Sequence, residues 1–168
     1  MSRNLGWVLP LILLCASGRC AEQGAFAPAS ATGSTIEDKA AIGIAAFKQM
    51  LGHDDSTGAG RKYALILCIE ASAPPKPVLD AIAREHPHVL PCGVAAKAAR
   101  GSGELRIDGD PAKPAIRYTL ANIEIHGDDA KLEAGYFEAS ESAAGYTMTL
   151  HRTHGEWRIV ESKMNWIS

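Results

Sequence analysis

Long runs of any one kind are scarce in this sequence. No lysine and arginine run exceeds two residues and the formal charge is −2, so nothing supplies the cationic stripe that a phosphate backbone requires. Nucleic acid is therefore not an expected partner. The Walker, dinucleotide and G-x-S-x-G fingerprints are absent, as are H-E-x-x-H and paired C-x-x-C. Those gaps remove the nucleotide, hydrolase and zinc readings that a sequence shows best, and no cofactor or metal ion is expected. The N-terminal apolar stretch, LGWVLPLILLCA from Leu5 to Ala16, has twelve residues. As a helix it would rise about 18 Å, well short of the roughly 30 Å of a hydrocarbon core, so no transmembrane span is expected.

What that stretch does fit is a secretory signal. MSR supplies a short positive start, the apolar run follows, and the small residues Ala16, Ser17 and Gly18 place cleavage after Gly18 or, a few residues on, after Ala21. A periplasmic or secreted protein is the expectation. Cys20 raises lipidation as a minor alternative, but Arg19 stands where a lipidated cysteine normally has a small neighbour. EQGAFAPASATG, residues 22–33, is rich in Ala, Gly, Ser and Pro and holds too little apolar surface to order itself. The expected organisation is a signal at 1–18, a disordered linker at 19–33 and one domain at 34–168.

Two cysteines remain for that domain, Cys68 and Cys92. In an oxidising compartment they form a natural pair closing a loop of about 25 residues, stabilising by roughly 3 kcal/mol on the chain-entropy account. Two separate buried thiols are the alternative.

The domain opens with STIEDKAAIGIAAFKQMLG, in which Ser34 and Glu37 read as a capping box and Gly52 as a stop. Ile36, Ala40, Gly43, Phe47 and Leu51 fall on one stripe of that helix. KYALILCIE is apolar on both faces, which suits a strand buried on two sides. A short second helix follows with Pro77 in its first turn and Pro87 beyond its end. AAKAARGSG reads as a flexible connection, GELRIDG as a short strand. From Ala115 the period is two, but Ile116, Tyr118 and Leu120 share a parity that Ile123 and Ile125 break, so a one-residue bulge is expected at Ala121 and Asn122. Three more strands separated by GDD, SAA and HG complete an antiparallel meander. The expected fold class is α+β, with helices packed on one face of a curved antiparallel sheet.

HRTHGEW raises the question of a metal site, because H-x-x-H converges on a helix. Here His154 and Gly155 suit the centre of a hairpin turn. The register then sets Arg152 against Trp157, His151 against Arg158, Leu150 against Ile159 and Met148 against Glu161. The two histidines diverge, and no metal is assigned to them. EHPH at Glu85 to His88 lacks further ligands, and RIDGDPAK lacks the closing Glu of a calcium loop.

Chemical interest is left with carboxylates on apolar faces. Glu161 shares the parity of Ile159, and Glu138 follows Leu132, Ala134 and Tyr136 at alternating positions. If both looked into a cavity between sheet and helices, burial would raise their pKa values and make acid/base work conceivable. Tyr136 and Tyr146 lie on the same core-facing positions, and these four residues are the candidate binding set.

The motifs L-C-I-E, a P-C about two dozen residues later, G-Y-F-E at Gly135 to Glu138, S-A-A-G-Y at Ser142 to Tyr146, G-E-W-R-I-V and the terminal W-I-S cover roughly Tyr63 to Ser168. They resemble a group of small exported bacterial proteins of unknown function. That resemblance implies export, a Cys68–Cys92 disulfide and a shared fold, without an activity. Helices followed by a meander carrying G-x-W-x-[IV] is also similar to the nuclear transport factor two-like and cystatin-like folds, which host enzymes and plain binding modules alike. The leading expectation is a non-enzymatic exported binding module for an unknown small molecule or protein. A pocket enzyme using carboxylates and an inhibitor or immunity-type protein are the alternatives.

Overall fold

A computed structural model of the protein describes residues 34–55, 62–94 and 96–168. The signal-like run, both cleavage positions, Cys20 and the expected linker lie outside those residues, as does the Ser34 side chain on which the capping box depends.

Two helices and eight strands follow in the order α1 (Ser34–Asp55), β1 (Ala64–Ile69), α2 (Lys76–Ala83), β2 (Val89–Pro91), β3 (Ala96–Ala98), β4 (Leu105–Ile107), β5 (Asp110–His126), β6 (Asp129–Ala139), β7 (Ser142–Thr153) and β8 (Glu156–Ile167). The sheet is ordered β2-β1-β5-β6-β7-β8, with β4 joining β5 and β3 joining β4. The class is α+β, as the pattern of elements predicts.

The meander β5–β8 is antiparallel, as expected, and the sheet as a whole is mostly antiparallel but mixed. β1 runs parallel to both β2 and β5. The cause is α2, which carries the chain back along β1 so that β2 enters in the same direction. β1 is buried on both faces, as its composition predicts. Leu65 and Leu67 join the main core under the helices, and Ala64, Ile66 and Cys68 join a smaller core with Leu105 and Ala115 on the other side. That second core explains why Ala96–Ala98 forms β3, where a flexible connection is expected from sequence. Pairing with β4 extends the cover over this face. Cys68 and Cys92 form a disulfide with Cα atoms 4.8 Å apart. It joins neighbours already linked by the Cys92 N–H to the Leu67 carbonyl.

α1 does not stop at Gly52 but continues to Asp55, and Ile36 is exposed rather than part of the buried stripe. The buried side is Ile42, Ala46, Phe47, Met50 and Leu51. Gly43 permits the close approach to β1 and α2, since a Cβ there would lie 3.0 Å from Ile69 Cδ1 and 3.9 Å from Val78. At its other end α1 is fastened to the last hairpin. Asp38 Oδ1 accepts from Arg152 Nη1 at 2.9 Å and from Trp157 Nε1 at 3.1 Å.

Among the bulges of the meander, one in β5 and one in β8 bear on which of the predicted residues face the helices. The first falls where parity predicts it: Ala121 opposes Glu133, Glu124 opposes Lys131, and Asn122 takes φ 52°. Ile123 and Ile125 thereby return to the core. His154 and Gly155 form the β7–β8 turn with φ of 53° and 82°, and the first three pairs of that hairpin match the sequence register. The fourth does not. Thr149 opposes Glu161 and Met148 opposes Ser162, because Val160 is the extra residue of a second bulge.

Candidate functional site

Between the C-terminal half of α1 and the β5–β8 part of the sheet lies a pocket of about 220 Å³ lined by Gln49, Met50, Tyr118, Tyr136, Tyr146, Met148, Ser162 and Met164. Strand alternation delivers these side chains. Tyr118 on β5 opposes Tyr136 on β6, Tyr146 on β7 opposes Met164 on β8, and Met148 opposes Ser162. All point to the helix side, where α1 contributes Gln49 and Met50. Tyr136 and Tyr146 each also face an alanine, Ala144 and Ala134 respectively. A large ring paired with a small residue leaves space above the sheet that two large side chains would fill. The Tyr118 and Tyr136 rings sit 6.4 Å apart and tilted by 43°, within the range of favourable aromatic pairs.

Of the four candidate residues, Tyr136 and Tyr146 line this pocket and the two carboxylates do not. Glu161 stands opposite Thr149, on the other face of the sheet from Met148 and Ser162. The bulge at Val160 moves it there, which removes the arrangement that would have set two carboxylates in one cavity. Glu138 lies in the irregular step between Phe137 and Ala139. It accepts a hydrogen bond from Ser142 Oγ at 2.8 Å. The Tyr63 hydroxyl also donates to Glu138, and that bond, aided by burial and by the carboxylate's charge, pushes the phenol pKa up.

Gln49, Met50, Tyr118, Met148, Ser162 and Met164 are pocket residues that sequence reading missed. Most occupy positions that read as ordinary core. Ser162 and Met164 were hidden by the Val160 bulge, which reverses the parity assumed for the end of β8.

Among the described residues no charged side chain lines the pocket. Its polar groups are tyrosine hydroxyls, one serine and one amide, a set that can orient a ligand by hydrogen bonds and that lacks a nucleophile paired with a base. Among the described residues there is also no group of three or more His, Cys, Asp or Glu side chains able to hold a metal ion. His86 is buried at the end of α2, and His151 Nδ1 lies 2.7 Å from Asp129.

The opposite face of β5–β8 is polar. Thr147 and Asn165 hydrogen-bond across β7 and β8, and Asn122 donates to Glu133. β8 forms one edge of the sheet and carries Val160, Met164, Trp166 and Ile167 exposed.

Compared with protein-family profiles, with curated proteins and with solved structures, the chain matches none. The fold and the pocket define a class: an α+β domain in which one long helix and a bulged sheet flank a tyrosine- and methionine-lined space.

Proposed function

We propose that this protein is an exported, non-enzymatic binding module that holds a small ligand between α1 and the β5–β8 sheet. The observation that carries the reading is the pocket lining, among the described residues eight with no formal charge around a volume of about 220 Å³, just under the roughly 300–1,000 Å³ of drug-sized sites. Export is supported by the Cys68–Cys92 disulfide and by the signal-like N-terminal sequence. Among the described residues no helix is long and apolar enough to cross a membrane. Helix-first order and a bulged antiparallel meander support kinship with the cystatin-like and nuclear transport factor two-like folds, from which the parallel β1 and β2 depart.

Catalysis by Glu138 and Glu161 has little support, because the two carboxylates stand outside the pocket and on different parts of the sheet. A protein partner is the second reading, favoured by the exposed apolar side chains of the β8 edge. NMR of the methionine methyl groups separates these possibilities. Small aromatic probes such as indole should shift the Met50, Met148 and Met164 signals together, and Ser162→Phe, which fills the pocket, should abolish the shifts while leaving the fold intact. If no probe moves these signals in the native protein, the pocket is not a ligand site.

A further inference from the structure

The chain has four methionines, and all three beyond Met1 line the same pocket. Apolar packing alone does not call for this concentration, since Leu and Ile specify a core better than the flexible thioether. Register shows how two of these side chains become neighbours. Met148 opposes Ser162 while Met164 opposes Tyr146, with Thr147 opposite Lys163 between them, so Met148 and Met164 are diagonal neighbours on an unbroken stretch of ladder. Diagonal positions lie about 7–8 Å apart, within reach of long side chains. Met50 enters the same space from α1.

We infer that Met50, Met148 and Met164 form a thioether site for a soft monovalent cation, copper(I), with silver(I) as its redox-inert probe. The inference rests on the pocket being a ligand site and names the ligand class. A thioether carries no charge and has no proton to lose, so its affinity is for soft ions. Among the described lining residues the thioethers have neither carboxylate nor imidazole beside them, a donor set that selects copper(I) over zinc, calcium or magnesium. The tyrosine rings of the lining add aromatic surface that attracts a cation. Charge sets the same preference, because an uncharged pocket desolvates a single positive charge at far less cost than two. Met164 is about half exposed, which gives the ion a sulfur to meet first from solvent. The Cys68 and Cys92 sulfurs are committed to each other, so the thioethers are the sulfur donors left to this domain in an oxidising compartment.

The test is titration of the oxidised full chain with silver(I), carrying Cys15→Ser and Cys20→Ser to remove the two remaining thiol candidates, in an imidazole buffer that masks surface histidines. Native mass should show one silver per chain. Met50→Leu, Met148→Leu and Met164→Leu, which conserve volume and should fold, should each weaken binding by about tenfold or more. Equal silver affinity in the native chain and the triple leucine variant overturns the inference, as does the absence of a one-to-one complex. The indole titration separates the two levels. A chain that takes indole but not silver keeps its pocket and loses the metal, whereas one that takes neither loses both.

Discussion

Replacing Asp38 by alanine should loosen the joint between α1 and the last hairpin, and its cost follows from the atoms left behind. One carboxylate oxygen accepts both the Arg152 Nη1 and the Trp157 Nε1 hydrogen bonds. Arg152 keeps other partners, since its Nε donates to Asp128 at 2.8 Å and its Nη2 to the Gly127 carbonyl. It also stays over the Trp157 ring, 5.1 Å from the centroid. Trp157 has no such reserve: the residue is 6% exposed, so its indole N–H loses its acceptor in a place water reaches poorly. An unsatisfied buried donor costs about 1–3 kcal/mol. For a chain of this size that corresponds to roughly 3 °C of Tm per kcal/mol. Asp38→Asn separates charge from geometry, because its amide oxygen can still receive the indole N–H, and it should lose less than half as much. Urea unfolding of the three proteins measures the difference. A loss in Asp38→Ala within about 0.5 kcal/mol of zero, the range of an ordinary surface change, would refute the assignment of this contact as the fastening of α1.

Gly145→Ala places a Cβ 2.3 Å from Trp166 Nε1 and 2.6 Å from Cε2. The half-exposed ring should be driven off the sheet, with a red shift of its fluorescence in a Trp157→Phe background and a loss of about 1–2 kcal/mol; unchanged emission would contradict the packing. Removing the staple with Cys68→Ser and Cys92→Ser together should cost about 3 kcal/mol, visible as a lower urea midpoint. Tyr63 holds its proton more tightly when folded than its ordinary value of 10.0, because the hydroxyl donates to Glu138. The stability this provides is whole below that ordinary value and declines as the pH rises from it through the higher folded value. Tyr63→Phe should flatten that alkaline decline in thermal melts, and an equal decline in both proteins would exclude Tyr63 as its source.

The first bulge and the last turn were legible in the sequence because each breaks a rule visibly. Ile123 and Ile125 fall on the wrong parity unless one residue is added, and His-Gly is a pair able to take the two positive φ values of a tight turn. The Val160 bulge offered a comparable clue. Without it Glu161 and Lys163 would both point into the core, whereas with it Ser162 and Met164 do. Reading the carboxylate as chemistry rather than as a register error set Glu161 on the core face, whereas it stands opposite Thr149 on the other face. The parallel pairing of β1 was less accessible, since a strand apolar on both faces identifies its burial but not its neighbours. β3 was hidden for a different reason: Ala-Lys-Ala has weak strand preference, and it is ordered by what β4 and the second core offer. The core-facing placement of Tyr136 and Tyr146 was legible because aromatics across adjacent strands are read from alternation alone. The methionines were passed over because a core-facing methionine looks, one at a time, like packing.

The order of elements has a consequence for when the pocket can exist. Gln49 and Met50 come from α1, which precedes every strand, and Ser162 and Met164 come from β8, which follows all the others. The Asp38–Trp157 contact that closes the structure joins residues 119 positions apart. A chain emerging N-terminus first therefore carries two of the eight described lining residues early and waits for β8 to supply the last two. Synthesis halted anywhere before that strand leaves the pocket without one of its walls, so the space between helix and sheet is the last feature of the fold to be completed.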